Sequence, residues 1–215
     1  MKRLMPLFLI AALFACNNES KTKTDIDSLK TVQPSVSDST NKKDSTLATD
    51  TSLLDTSRVI LTILKNRDFE KLSSYICPSK RLRFSAYAFI DTSDSRAFTP
   101  YELRMAAQKS SVLVWGSYDA SGDPIKMNIK DYWKKFVYNK DYLNAPERSV
   151  NKFLKTGNSL NNLKEIYPHS TFTEFYFPGF EKKYEGMDWQ TLRLVFQEEG
   201  GKLYLVAVVH DEWTI

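Results

Sequence analysis

Cysteine and histidine are scarce in this chain of 215 residues, with two of each: Cys16, Cys77, His169 and His210. A zinc site takes three or four ligands, usually His or Cys, so the inventory argues against one. The run His210-Asp211-Glu212 resembles a ligand cluster, but neighbours on a strand point to opposite faces. Only His210 and Glu212 could share an ion there. Glycine is also rare, at seven residues. Its one doublet, Gly200-Gly201, follows Glu198-Glu199, whose charge repels phosphate; this is a hairpin turn and not a phosphate loop. No Gly-x-Ser-x-Gly elbow occurs. A surplus of one charge is missing as well. Of the 30 basic residues, Lys2 and Arg3 lie in an N-terminal leader, which leaves 28 against 26 acidic residues. That balance excludes the electrostatic footprint of a nucleic-acid binder. Finally, there is no apolar run long enough to span a bilayer, which needs roughly 20 residues.

What the chain does have begins at its N-terminus. Lys2 and Arg3 precede an apolar stretch from Leu4 to Phe14, the layout of a signal peptide over residues 1–15. The stretch ends Leu13-Phe14-Ala15-Cys16, which resembles the lipobox of bacterial lipoproteins. That resemblance implies cleavage before Cys16, lipidation of its thiol with palmitate-type chains, and attachment to a membrane of the cell envelope. The outer membrane is favoured if the source has two membranes. One acyl chain binds marginally and two or more anchor stably. With Cys16 lipidated, Cys77 has no partner and no intrachain disulfide is expected. Residues 16–50 are mostly Ser, Thr, Lys, Asp and Asn, too polar to offset ordering entropy, and read as a disordered linker.

Residues 51–215 read as a single α+β domain. Leu54, Val59, Ile60, Ile63, Leu64, Phe69, Leu72 and Ile76 recur at three- and four-residue steps and predict helix, bent or divided at Asn66-Arg67-Asp68. Thr99-Pro100-Tyr101-Glu102 is a helix start with N-cap, proline at N1 and glutamate at N3. Strands are predicted over residues 82–90, 111–118, 125–129, 170–177, 189–197 and 202–210, with short helices over 131–138 and 158–166. Alternation in the last two strands puts Leu192, Leu194 and Phe196 on one face with Leu203, Leu205, Ala207 and Val209. The other, mixed face then carries Trp189, Thr191, Arg193 and Val195 beside Tyr204, Val206, Val208 and His210. Helices first and strands last predict N-terminal helices packed on a curved antiparallel sheet.

Several words, among them Phe177-Pro178-Gly179-Phe180, Tyr184-Glu185-Gly186-Met187-Asp188-Trp189 and His210-Asp211-Glu212-Trp213-Thr214-Ile215, together resemble a family of uncharacterised bacterial lipoproteins over about residues 55–215. The resemblance implies no activity. In shape the chain is also similar to nuclear transport factor two or cystatin, where an opening helix packs on a strongly curved sheet; shape does not fix function. Domains of that kind dimerise through the sheet, so a homodimer through the mixed face is in keeping with it.

For chemistry, Cys77 at an apolar helix end reads as a buried inert thiol, and no catalytic residue, cofactor or metal is assigned. Rings that flank turns can stack on flat ligands. The expected ligand site is Trp189, Arg193 and His210 on one sheet face, with Asp188 and Trp115 nearby. It would take an envelope glycan, a peptide or an apolar small ligand. Two further readings are an envelope hydrolase or isomerase using Asp188, His210 and Asp211, and a structural partner in an envelope assembly.

Overall fold

The computed structural model describes residues 40–214. The leader, Cys16 and the linker up to residue 39 lie outside them. Helix α1 (Thr40–Asn66) begins within the segment read from composition as linker. It buries Leu53, Ile60, Leu61 and Leu64. It stops at Arg67, whose positive φ of 54° lets its amide reach the Leu64 carbonyl and the Asp68 amide reach that of Ile63. These two bonds satisfy carbonyls that the helix end leaves free. Asp68 then caps α2 (Phe69–Ser73) by accepting from the Lys71 amide, so the Asn66-Arg67-Asp68 break divides the helix in two.

Strands β1 (Leu82–Ser85) and β2 (Ala97–Phe98) follow, then α3 (Pro100–Gln108). The capping box of α3 is complete: Glu102 N–H donates to Thr99 Oγ1, and the Thr99 amide donates to the Glu102 carboxylate. A hairpin of β3 (Leu113–Ser117) and β4 (Pro124–Met127) forms a separate two-stranded sheet. Helix α4 (Ile129–Tyr132) widens into a π-turn over Trp133–Val137. Then come β5 (Glu147–Val150), α5 (Leu163–Ile166), β6 (Thr171–Phe177), β7 (Gln190–Glu199) and β8 (Lys202–Glu212).

The main sheet has the order β2-β1-β8-β7-β6-β5. It is mixed and not purely antiparallel as expected, because β1 lies parallel to β8, with Phe84 opposite Val208. Local periodicity specifies which face of a strand is apolar; it carries no information about the direction of a partner more than a hundred residues away.

The faces of β8 also depart from simple alternation. Val195 pairs with Ala207, but the next residue, Phe196, pairs with Leu205. Val206 is therefore the extra residue of a β-bulge, and a bulge resets parity. Beyond it, Val208 and His210 join Leu192 and Leu194 on the main core face, while Ala207, Val209 and Asp211 join Arg193 on the other. The main core unites that first face with α1, α3 and the aromatic residues Trp115, Tyr132, Trp133 and Phe136. Ser57 Oγ on α1 and Thr173 Oγ1 on β6 lie 2.8 Å apart within it. The second face carries a smaller core of its own. Phe153, Leu163, Ile166 and Tyr167 pack over Phe172, Val195, Ala207 and Val209.

Candidate functional site

Alternating residues of β6, β7 and β8 meet under the 151–167 segment as a buried charge cluster. Arg193 donates from Nε to Glu174 Oε2 at 3.1 Å, and from Nη1 and Nη2 to Asp211 Oδ2 at 3.1 Å each. A further bond from Nη2 reaches the Lys155 carbonyl at 3.0 Å. Thr191 Oγ1 donates to Glu174 Oε1, and Phe153 covers the guanidinium at 5.1 Å. All three ionic side chains are sealed from solvent. Two carboxylates share one cation in a dry site, so burial pushes the Asp211 carboxyl up to about 6, against the pull of Arg193. With Arg193, Glu174 and Asp211 closed off from solvent, the bonds of the cluster tie three strands and the covering segment together, which is structural work.

On the opposite face His210 is equally buried. Its Nδ1 lies 3.0 Å from the Ala86 carbonyl, which can only accept, so Nδ1 carries the proton. Nε2 then accepts from Asn139 Nδ2 at 3.2 Å. The second Asn139 N–H donates to Gln190 Oε1, and Asn139 Oδ1 accepts from the Tyr142 hydroxyl. Gln190 Nε2 donates in turn to Glu212 Oε2 at 3.0 Å. Each of these contacts pairs a donor with an acceptor only if the imidazole is neutral. Burial lowers the His210 pKa accordingly, with Glu212 opposing.

The outer end of this network opens on a cleft of about 290 Å³ at the end of the sheet where β7 starts and β8 stops. Glu212 and Gln190 belong to its lining, with Phe180, Tyr184, Trp213 and Lys140 around the mouth. Phe180, Tyr184 and Trp213 are 43%, 42% and 43% exposed, whereas Trp115, Trp133 and Trp189 are buried. Lys140 Nζ sits 3.9 Å from the Phe180 ring centre, and Lys183 Nζ 4.6 Å from that of Tyr184. Asp188 fixes the rim: its Oδ2 accepts from the amides of Phe180 and Glu181. Desolvation opposes its ionisation, but those two amides prevail and hold its pKa below the ordinary carboxylate value.

No family model, no curated protein and no solved structure matches the chain. Function has to be read from the geometry.

The structure separates the residues expected to form one site. Asp188 and Trp189 line the cleft, although Trp189 is only 2% exposed and packs against Gly157, where a Cβ would come within 2.9 Å of Cζ2. Arg193 belongs to the charge cluster and His210 to the opposite face, so the expected pairing of Trp189, Arg193 and His210 does not form. Trp115 stacks on Tyr132 with ring centres 3.9 Å apart and donates from Nε1 to the Met127 carbonyl. It borders a different cavity of about 220 Å³, beside Tyr87, Tyr118 and Asp119. Nor do Asp188, His210 and Asp211 converge: His210 and Asp211 are buried and point to opposite faces. Cys77 is a buried thiol 3.1 Å from Ser79 Oγ.

Sequence reasoning passed over Glu174, Asn139, Gln190, Phe180 and Lys140. Glu174 had a signal: it is a lone acid in the apolar strand Thr-Phe-Thr-Glu-Phe-Tyr-Phe. A buried charge needs a partner, and Arg193 was the available cation in the neighbouring strand. Asn139 had none, since it lies in a loop about 50 residues from Gln190 and 70 from His210.

Proposed function

We propose that this chain is a lipid-anchored binding or accessory protein of the cell envelope and that the cleft around Trp213 is its binding site. The lipobox-like Leu13-Phe14-Ala15-Cys16 supports the anchor, as does the resemblance to uncharacterised bacterial lipoproteins. One observation carries the site. Three large rings stay exposed at the mouth of a cleft whose polar floor is held rigid by a buried network, and a pre-organised concave surface of that kind suits a ligand. In fold, helix α1 covers the main core face of the sheet in the manner of nuclear transport factor two or cystatin. The shared core and the Ser57–Thr173 bond support this arrangement, with β1 added in parallel to the edge of the antiparallel strands.

The test has two arms. Labelled palmitate should enter the native chain and be absent from Cys16→Ser, which should also wash out of the envelope. Thermal melting of the folded protein against glycans, short peptides and apolar ligands should show a rise for one class that Trp213→Ala removes. If no class raises the midpoint and the protein instead co-purifies with an envelope protein, the cleft is not a ligand site and the structural-partner reading takes its place.

A further inference from the structure

We infer that the cleft takes a neutral saccharide, stacked on Trp213 and held through two adjacent hydroxyls by Gln190 and Glu212; this rests on the cleft being the binding site. Glu212 Oε2 is occupied by Gln190 Nε2 at 3.0 Å, and among the described residues Oε1 accepts no hydrogen bond. Gln190 Oε1 is occupied by Asn139, while Nε2 has used one of its two N–H groups. The floor therefore offers one donor and one acceptor on side chains already bonded to each other. A vicinal diol matches that pair, donating one hydroxyl to Glu212 Oε1 and accepting at the other from Gln190 Nε2. Asn139, itself fixed by His210 and Tyr142, prevents both side chains from turning away.

The Phe180 and Tyr184 rings lie under the ammonium groups of Lys140 and Lys183. Trp213 has neither a ring nor a cation over it among the described residues, so its indole face is the one left for a ligand. The C–H face of a pyranose covers an indole while its hydroxyls stay directed at polar partners.

Other occupants fit less well. Glu181, Asp188 and Glu212 outnumber the single ammonium of Lys140 in the lining, which disfavours anions. An apolar ligand would desolvate Glu212 Oε1 and the second N–H of Gln190 without giving either a partner. Strands β7 and β8 are interior to the sheet, so a peptide finds no strand edge here to extend along. The volume of about 290 Å³ is at the small end for ligand pockets and suits one or two sugar rings.

The experiment titrates the full-length protein with maltotriose, chitotriose, xylotriose and, as the acidic control, trigalacturonate. Acrylamide quenching reports Trp213, and the amide resonance of the Gln190 side chain reports the floor. At least one neutral trisaccharide should protect Trp213 saturably and move the Gln190 resonance. Trp213→Ala and Glu212→Ala should each weaken that binding about ten-fold or more, with Trp213→Phe retaining more of it than Trp213→Ala and near-ultraviolet circular dichroism showing each variant folded. Absence of binding by all three neutral sugars, equal binding of trigalacturonate, or an inert Glu212→Ala each overturns the inference. A parallel titration with trialanine and with 1-aminoanthracene separates the two levels. If either binds at Trp213 while the sugars do not, the cleft remains a binding site and the saccharide assignment falls; if every probe is inert, both fall.

Discussion

Arg193 and His210 lie buried back to back on opposite faces of the sheet, and their environments make opposite demands on pH. The folded pKa of His210 lies below its ordinary 6.5, so between the two values the unfolded chain binds more protons. The histidine's contribution is fully present above pH 6.5 and is lost as pH falls. Asp211 is raised from 3.8 to about 6. The folded chain binds the extra proton, and its contribution is present below about 3.8 and lost as pH rises through 6. The two slopes offset each other across mildly acid pH. Denaturant titrations between pH 4 and 7 should therefore tilt in opposite senses: His210→Gln leaves stability falling with pH, and Asp211→Asn leaves it rising. Arg193→Met, which strands two buried carboxylates, should cost about 3–5 kcal/mol at neutral pH. Equilibrium unfolding would refute the ionic account if that variant lost less than 1 kcal/mol.

At the scale of elements, the break after α1 and the bulge in β8 do different work. Arg67 holds a left-handed conformation that suits glycine better, so Arg67→Gly should raise stability by about 0.5–1 kcal/mol in a urea melt. Val206 is the opposite case. Paired regularly with Val195 instead of bulged, it would turn every residue from Ala207 onward to the other face, placing Asp211 in the apolar core and His210 among charges. Deleting it leaves Leu205 opposite Phe196 and Ala207 opposite Val195, the observed pairing. The Val206 deletion should therefore keep cooperative unfolding and the native near-ultraviolet circular dichroism, and loss of both would refute the bulge as the source of the parity change. Gly157 sets how close its loop comes to Trp189; Gly157→Ala adds a methyl at 2.9 Å from that indole and should lower stability by about 1–3 kcal/mol. The helix break, the capping box of α3 and the late hairpin were legible in sequence, because caps, turns and alternation are signals spanning a few residues. Strand β5 was missed, since Glu147-Arg148-Ser149-Val150 has no apolar alternation and becomes a strand only by pairing with β6.

For the whole molecule, the consequence of the fold is that the tryptophans divide three to one. Trp115, Trp133 and Trp189 are shielded and Trp213 is exposed. Acrylamide should thus quench a single emission component, and that component should vanish in Trp213→Phe. Broad quenching of all four indoles would contradict the core described here. Composition, charge balance, the lipobox-like N-terminus, the α+β class and most strands follow from the sequence alone, because each depends on residue type or short-range period. The parallel insertion of β1 beside β8, the parity change at Val206, the sharing of Arg193 by two acids and the choice of Trp213 over Trp189 as the open ring were decided only in three dimensions. Each depends on which distant segments come to lie side by side, and local patterns of apolar and polar residues leave that unspecified.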